Sequence, residues 1–177
     1  RDRVIRNGTT FDIAATTTTV TGTTYVNSSG TLSISTGTFD ANGTFNASGT
    51  PVGNVTFTGA GSLELGSTVT SLGNYTGSNS TILFNGSSAQ TINAGSGFTV
   101  DNLTVNNASG VTLNTDVTVN SALTLTSGDI TSTSTNKLSI KSSVSGGSSS
   151  SHISGPVDFI ADATSECSIP VGNGTDY

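Results

Sequence analysis

The sequence contains no methionine and no tryptophan, and it has one cysteine and three prolines in 177 residues. A lone Cys167 cannot close an intramolecular bridge, so no disulfide framework holds this chain, and a small buried apolar role suits it better than nucleophilic chemistry. Charge is equally scarce. Only 9% of residues are charged, and the 11 acids outnumber the 5 bases. No basic groove with interleaved aromatics exists, which argues against a nucleic-acid partner. No run of about 18 apolar residues occurs, so no membrane-spanning helix is expected. Strong helix formers are too sparse to fill successive turns.

What remains is threonine, serine, asparagine and 22 glycines, with 32% hydrophobic residues. Such a composition fits either low-complexity disorder or a stacked β-structure. Disorder goes with high charge and no periodicity. Here charge is low and the apolar residues recur in register, which favours the ordered reading.

The register is clearest from Leu103 to Leu125. Apolar pairs one residue apart recur there as Leu103/Val105, Val111/Leu113, Val117/Val119 and Leu123/Leu125, with Thr104, Thr112, Thr118 and Thr124 between the members. Alternation with period two marks a strand with one buried face. Upstream, successive hexads place Phe39, Phe45, Pro51, Phe57, Leu63, Val69 and Tyr75 at the same position, and glycine opens five of the seven. Short strands that turn at every corner and stack on the coil below make a β-solenoid, an all-β fold without significant helix. Three hexad sides predict a coil of about 18 residues that rises by roughly 4.8 Å. The predicted core columns are Phe39, Phe45, Phe57, Leu63 and Val69, then Val105, Val111, Val117 and Leu123, with Leu113, Val119 and Leu125 beside them.

Three segments follow. Residues 1–8, opening RDRVIR, read as a charged N-terminal arm. Residues 9–141 carry the repeats. Residues 142–177 read as a serine-rich loop followed by terminal strands that serve as a cap or a subunit joint. Candidate joint residues are Arg1, Arg3 and Arg6 at one end and Pro156, Val157, Phe159, Ile169 and Val171 at the other.

Chemistry-bearing patterns are few. A polysaccharide-active enzyme, a weaker reading, would need several acids on one face, but Asp101, Asp116 and Asp129 are spaced so that an 18-residue coil does not align them. His152, the only histidine, sits beside the serine-rich run and reads as an exposed loop residue. No cofactor or metal motif is present, the Gly-Gly-x-Gly-x-Asp calcium repeat included, and no enzyme activity is expected. Eleven Asn-x-Ser/Thr sequons occur, Asn7, Asn27, Asn46, Asn74 and Asn107 among them. They are candidate glycan acceptors, although a chain this rich in the three residue types makes sequons by accident, and its asparagines can stack as ladders along the coils. The outward threonines also suit an ice-binding face, a weaker reading because threonine is a good strand residue anywhere.

The runs FNGSSAQTI (84–92), DNLTVNNASGVTLNTDVTVNSALTLTSGDI (101–130), HISGPV (152–157) and IPVGNGTDY (169–177) together resemble the repetitive surface proteins of Bacteroidota. The resemblance covers residues 79–177 and its motifs are structural. It implies a secreted or cell-surface protein of the kind exported by the type IX system, with no catalytic residues to carry over. The chain departs from that pattern by stopping at Tyr177 without a C-terminal sorting domain, as a fragment or a processed product would. From the residues and the resemblance, the expectation is an extracellular structural subunit that forms head-to-tail homopolymers through open solenoid edges. The alternative is an adhesin stalk that meets a glycan or host surface; of three tyrosines only Tyr25 and Tyr177 escape the inward columns.

Overall fold

A computed structural model describes residues 1–95, 97–160 and 168–173. Among these residues there are strands and turns and no helix. Every pair of strands in the ladder is parallel, and the chain makes about eight turns of a three-faced β-solenoid.

The first four coils are built alike. Coil one holds β1 (Arg3–Ile5), β2 (Thr10–Ile13) and β3 (Thr17–Val20). Coil two holds β4 (Thr24–Val26), β5 (Thr31–Ile34) and β6 (Thr38–Ala41). Coil three holds β7 (Phe45–Asn46), β8 (Asn54–Phe57) and β9 (Ser62–Leu65), and coil four β10 (Val69–Ser71), β11 (Asn74–Thr76) and β12 (Thr81–Phe84). In coils five and six two sides fuse into one bent strand. β13 (Gln90–Ile92) is followed by β14 (Phe98–Asn106), and β15 (Val111–Leu113) by β16 (Val117–Ser127). Coil seven returns to three strands, β17 (Ile130–Thr131), β18 (Leu138–Ile140) and β19 (Ser143–Gly146). β20 (Ile153–Ser154) and β21 (Val157–Phe159) form the eighth, and β22 (Val171–Gly172) lies on β20.

The first face runs β1-β4-β7-β10 and then β13-β15-β17-β20-β22, joined where the Leu72 N–H donates to the Asn93 carbonyl. The second runs β2-β5-β8-β11 and resumes with Phe98–Val100, Val117–Val119, β18 and β21. The third stacks β3-β6-β9-β12, then the second halves of β14 and β16, then β19.

Alternation places one side chain in two inside, and the interior is one continuous apolar cluster. Phe39, Phe45, Phe57, Leu63, Val69, Val105, Val111, Leu113, Val117, Val119, Leu123 and Leu125 are all buried. Each is worth roughly 1.5–3 kcal/mol of transfer free energy. Their arrangement corrects the expected columns. Phe39 stacks on Leu63, and Phe45 on Val69. Val105, Val111, Val117 and Leu123, however, lie on Leu125, Ile130, Leu138 and Val144 rather than on one another. The six-residue period counts sides around a coil, and the period along the axis is the coil itself.

The coil is also longer than 18 residues almost throughout. Thr38 lies on Ser62 and Ser62 on Thr81, 24 and 19 residues apart. Three hexad sides account for 18 residues and corner residues supply the excess, as in the exposed 48–52 turn of coil three.

Two predicted boundaries move. Residues 1–8 are not a separate arm, because Arg3–Ile5 is β1 and pairs with β4. Residues 142–147 are not loop, because Ser143–Gly146 is β19 and pairs with Ala122–Leu125. A parallel ladder needs only backbone donors and acceptors in register, and it recruits a Ser-Gly run as readily as a Val-Thr run.

Candidate functional surfaces

The strongest polar feature is internal. Gln90 and Asn107 are 3% and 0% exposed. The Gln90 Nε2 donates to the carbonyls of Leu65 and Ser67, both at 2.7 Å, while its Oε1 accepts from the Gly86 N–H at 2.9 Å and from Asn107 Nδ2 at 2.9 Å. Asn107 Nδ2 also donates to Ser88 O at 2.7 Å, and Oδ1 accepts from the Ser109 N–H at 2.9 Å. Two amides thus tie coils three, four, five and six at one corner. The F-N-G-x-x-x-Q-x-I and V-N-N runs place these residues, and their role is to satisfy corner backbone groups that three-residue strands leave over.

This removes Asn107 from the glycan acceptors, since its amide nitrogen is buried and doubly engaged. Asn7 and Asn74 are exposed, and Asn27 and Asn46 are half-exposed. Asn74 Nδ2 donates to Asn54 Oδ1 at 3.2 Å, and Asn54 Nδ2 reaches Thr31 Oγ1 at 3.5 Å, a short polar ladder on the second face. Asn46 Oδ1 accepts from the N–H and hydroxyl of Ser48, the serine of its own sequon. The four threonines read as one outward set separate in the same way as the core. Thr104 and Thr124 stack on the third face, whereas Thr112 lies between Thr91 and Thr131 on the first.

His152 is not an exposed loop residue. It is fully buried, with Nδ1 at 3.1 Å from Asp129 Oδ1, and its backbone N–H donates to the same oxygen at 3.0 Å. The pair fastens coil eight to coil seven. Asp101 and Asp116 are elsewhere: Asp101 Oδ1 accepts from Asn120 Nδ2 at 3.5 Å, and Asp116 Oδ1 from the Lys137 N–H at 2.8 Å.

Sequence reasoning missed an acidic pair. Asp40 and Glu64 are stacked neighbours on the outside of the third face. Burial, and then the neighbouring Asp40 charge, raise the Glu64 carboxyl above the ordinary carboxylate range, against a hydrogen bond from Asn85. Only the coil length would have revealed the pairing. Among the described residues no three His, Cys, Asp or Glu side chains gather into a metal-ligating group.

The candidate joint residues fall on the first and last coils. Arg3 turns inward and its guanidinium carbon sits 3.8 Å above the Phe11 ring, covering the core there. Arg6 is exposed at the next corner, and Arg1 donates from its amine to Thr21 Oγ1 at 3.0 Å. On the other side, Val157 and Phe159 belong to β21, the Pro156 carbonyl accepts from Ser132 Oγ at 2.5 Å, Ile169 packs partly against the core, and Val171 is 50% exposed in β22. Cys167 and Tyr177 lie outside the described residues.

Among the described residues, exposed large apolar side chains are few. Val4 and Tyr25 are register neighbours on the outside of the first face, at 50% and 37% exposure. Tyr75 belongs to the second face, where its ring meets Phe98 at 5.0 Å and Phe57 at 5.7 Å, and its hydroxyl hydrogen-bonds to Ser80. Burial pushes its phenol up to about 12.

No helix among the described residues is long and apolar enough to cross a membrane. Fold and surface together define a parallel β-solenoid. Comparison with family models, with curated proteins and with solved structures gives no match.

Proposed function

We propose that this chain is a structural module of an extracellular filament or cell-surface fibre, which lengthens by stacking solenoid on solenoid. The observation that carries the reading is the pair of open edges. Among the described residues, β1, β2 and β3 have strand partners on one side only, and so do β19, β21 and β22. All strands run parallel, so the edge of the last coil and the edge of the first present matching donors and acceptors in the same direction. Contact between unlike ends is heterologous and need not close. An open edge recruits another strand. Extracellular placement rests on the low charge, the absence of methionine and the resemblance to surface repeats. Negative-stain electron microscopy of the 177-residue chain tests the proposal: filaments with an axial repeat of about 40 Å, eight rises of strand spacing, are expected. A monodisperse monomer at high concentration would sink it.

One observation favours a second reading, an adhesive stalk. Tyr25 stands outward beside Val4, an apolar platform of the sort that meets a sugar ring. A glycan array separates the two readings: retention that Tyr25→Ala abolishes supports adhesion.

A further inference from the structure

The second face is broken once. β11 is the last strand of its sheet, and Phe98–Val100 pairs only on its far side, with Val117–Val119. The open groups can be assigned. The Asn74 N–H donates to the Gly53 carbonyl at 2.9 Å, so Asn74 faces β8, and Tyr75, the next residue, turns its N–H and C=O toward the break. The Phe98 N–H donates to the Asp116 carbonyl at 3.0 Å, so Thr99 turns its own pair toward the break from the opposite wall. Between the walls lies a cleft of about 380 Å³, lined by Asn74, Tyr75, Phe98 and Thr99 with glycines and an alanine, and by no charged side chain. Gly97 borders it, and a Cβ there would meet no atom within 4 Å.

We propose that this break accepts a strand: an uncharged, extended segment of another polypeptide lies between β11 and β14, parallel to both. The Tyr75 N–H would donate to the carbonyl of one occupant residue and the Tyr75 C=O would accept from the N–H two residues further on, while Thr99 pairs in the same way with the alternate residues, which restores the ladder. The inference stands apart from end-to-end stacking, since the break lies mid-rod. Four extended residues span about 13 Å and occupy one strand spacing of about 4.8 Å. The occupant's inward residue must be small, glycine, alanine or serine, because the Tyr75 and Phe98 rings already close the core beneath it. A peptide fits better than a sugar. The groups on offer are backbone pairs on two facing walls, the pattern that strand addition uses, while the Phe98 ring is only 3% exposed and offers no stacking platform.

The test uses the whole chain, 15N-labelled, with amide hydrogen exchange read by NMR and the neutral peptide acetyl-Thr-Gly-Thr-Gly-Thr-amide as probe. Without peptide, the Tyr75 and Thr99 amides should exchange at least about tenfold faster than the paired amides of β8 and β16. Millimolar peptide should slow both by about tenfold, and the same peptide N-methylated at its central residue should not. Full protection of both amides in the free chain would overturn the proposal, because the ladder would then be closed. So would unchanged exchange at saturating peptide, or protection given by maltopentaose and not by the peptide.

Discussion

The two halves of the rod turn the same corner by different means. In coils two and three the passage from second to third face takes three or four residues, Ser35–Gly37 and Thr58–Gly61, and glycine ends it. Gly61 is required by space, since a Cβ there would sit 2.5 Å from Ile34 Cγ2 and 2.7 Å from the Gly37 carbonyl. In coils five and six the strand does not stop. β14 and β16 run through the corner, and the register slips by one at Asp101 and the Asn120-Ser121 pair, a β-bulge. A bulge bends a strand while keeping most of its ladder. The lower half therefore spends residues on corners and the upper half spends polar side chains on a bulge, yet both place their apolar residues on one core.

If that core is continuous, Phe39→Ala in the lower half should lower stability by about 3–5 kcal/mol, and Leu103→Ala in the upper half by about 2–5 kcal/mol. Urea denaturation should show one transition shifted by either change; two separable transitions would divide the halves. The amide pair at the junction comes next. Gln90→Ala leaves buried partners unsatisfied and should cost about 1–3 kcal/mol. Adding Asn107→Ala should then cost less than the sum of the single changes, a non-additivity that a double-mutant cycle measures.

The corners themselves give a sharper contrast. Gly61→Ala should destabilise by about 1–3 kcal/mol through the close approach, whereas Ser121→Ala at the exposed upper corner should stay within about 0.5 kcal/mol. Smallest are the titrations. The folded chain holds the Tyr75 phenol up to about 12 from an ordinary 10.0. The unfolded chain releases that proton first, so the contribution is whole below pH 10 and declines as pH climbs toward 12. Tyr75→Phe should remove this alkaline decline from a pH series of melting curves. The Glu64 carboxyl, also raised, should make the protein slightly less stable as pH rises through its titration, and Glu64→Gln should flatten that slope.

Much of this was legible in the sequence. Alternation from Leu103 to Leu125 marks which side chains go inside, and the glycine hexads mark the sides of a coil. Coil length was not legible, because corner residues leave no periodic trace. Without it, every statement about which residues stack along the axis was out of reach. That is why Val105, Val111, Val117 and Leu123 look like one column and are four, and why the Asp40–Glu64 pair stays hidden. Burial of polar residues was equally obscure. Asn107 and His152 sit in local sequences that read as exposed turn and loop, and only the stacking of neighbouring coils encloses them.

The all-parallel ladder has a mechanical consequence. Each coil is fastened only to the one above and the one below, through bonds that lie along the rod. Tension applied between the two ends loads those bonds in series and opens them like a zip, one coil at a time. Each released coil of about 21 residues would pay out roughly 70 Å of extended chain. Extension should therefore proceed in a sawtooth of small, even steps, and a broken coil can rewind onto the intact one beneath it.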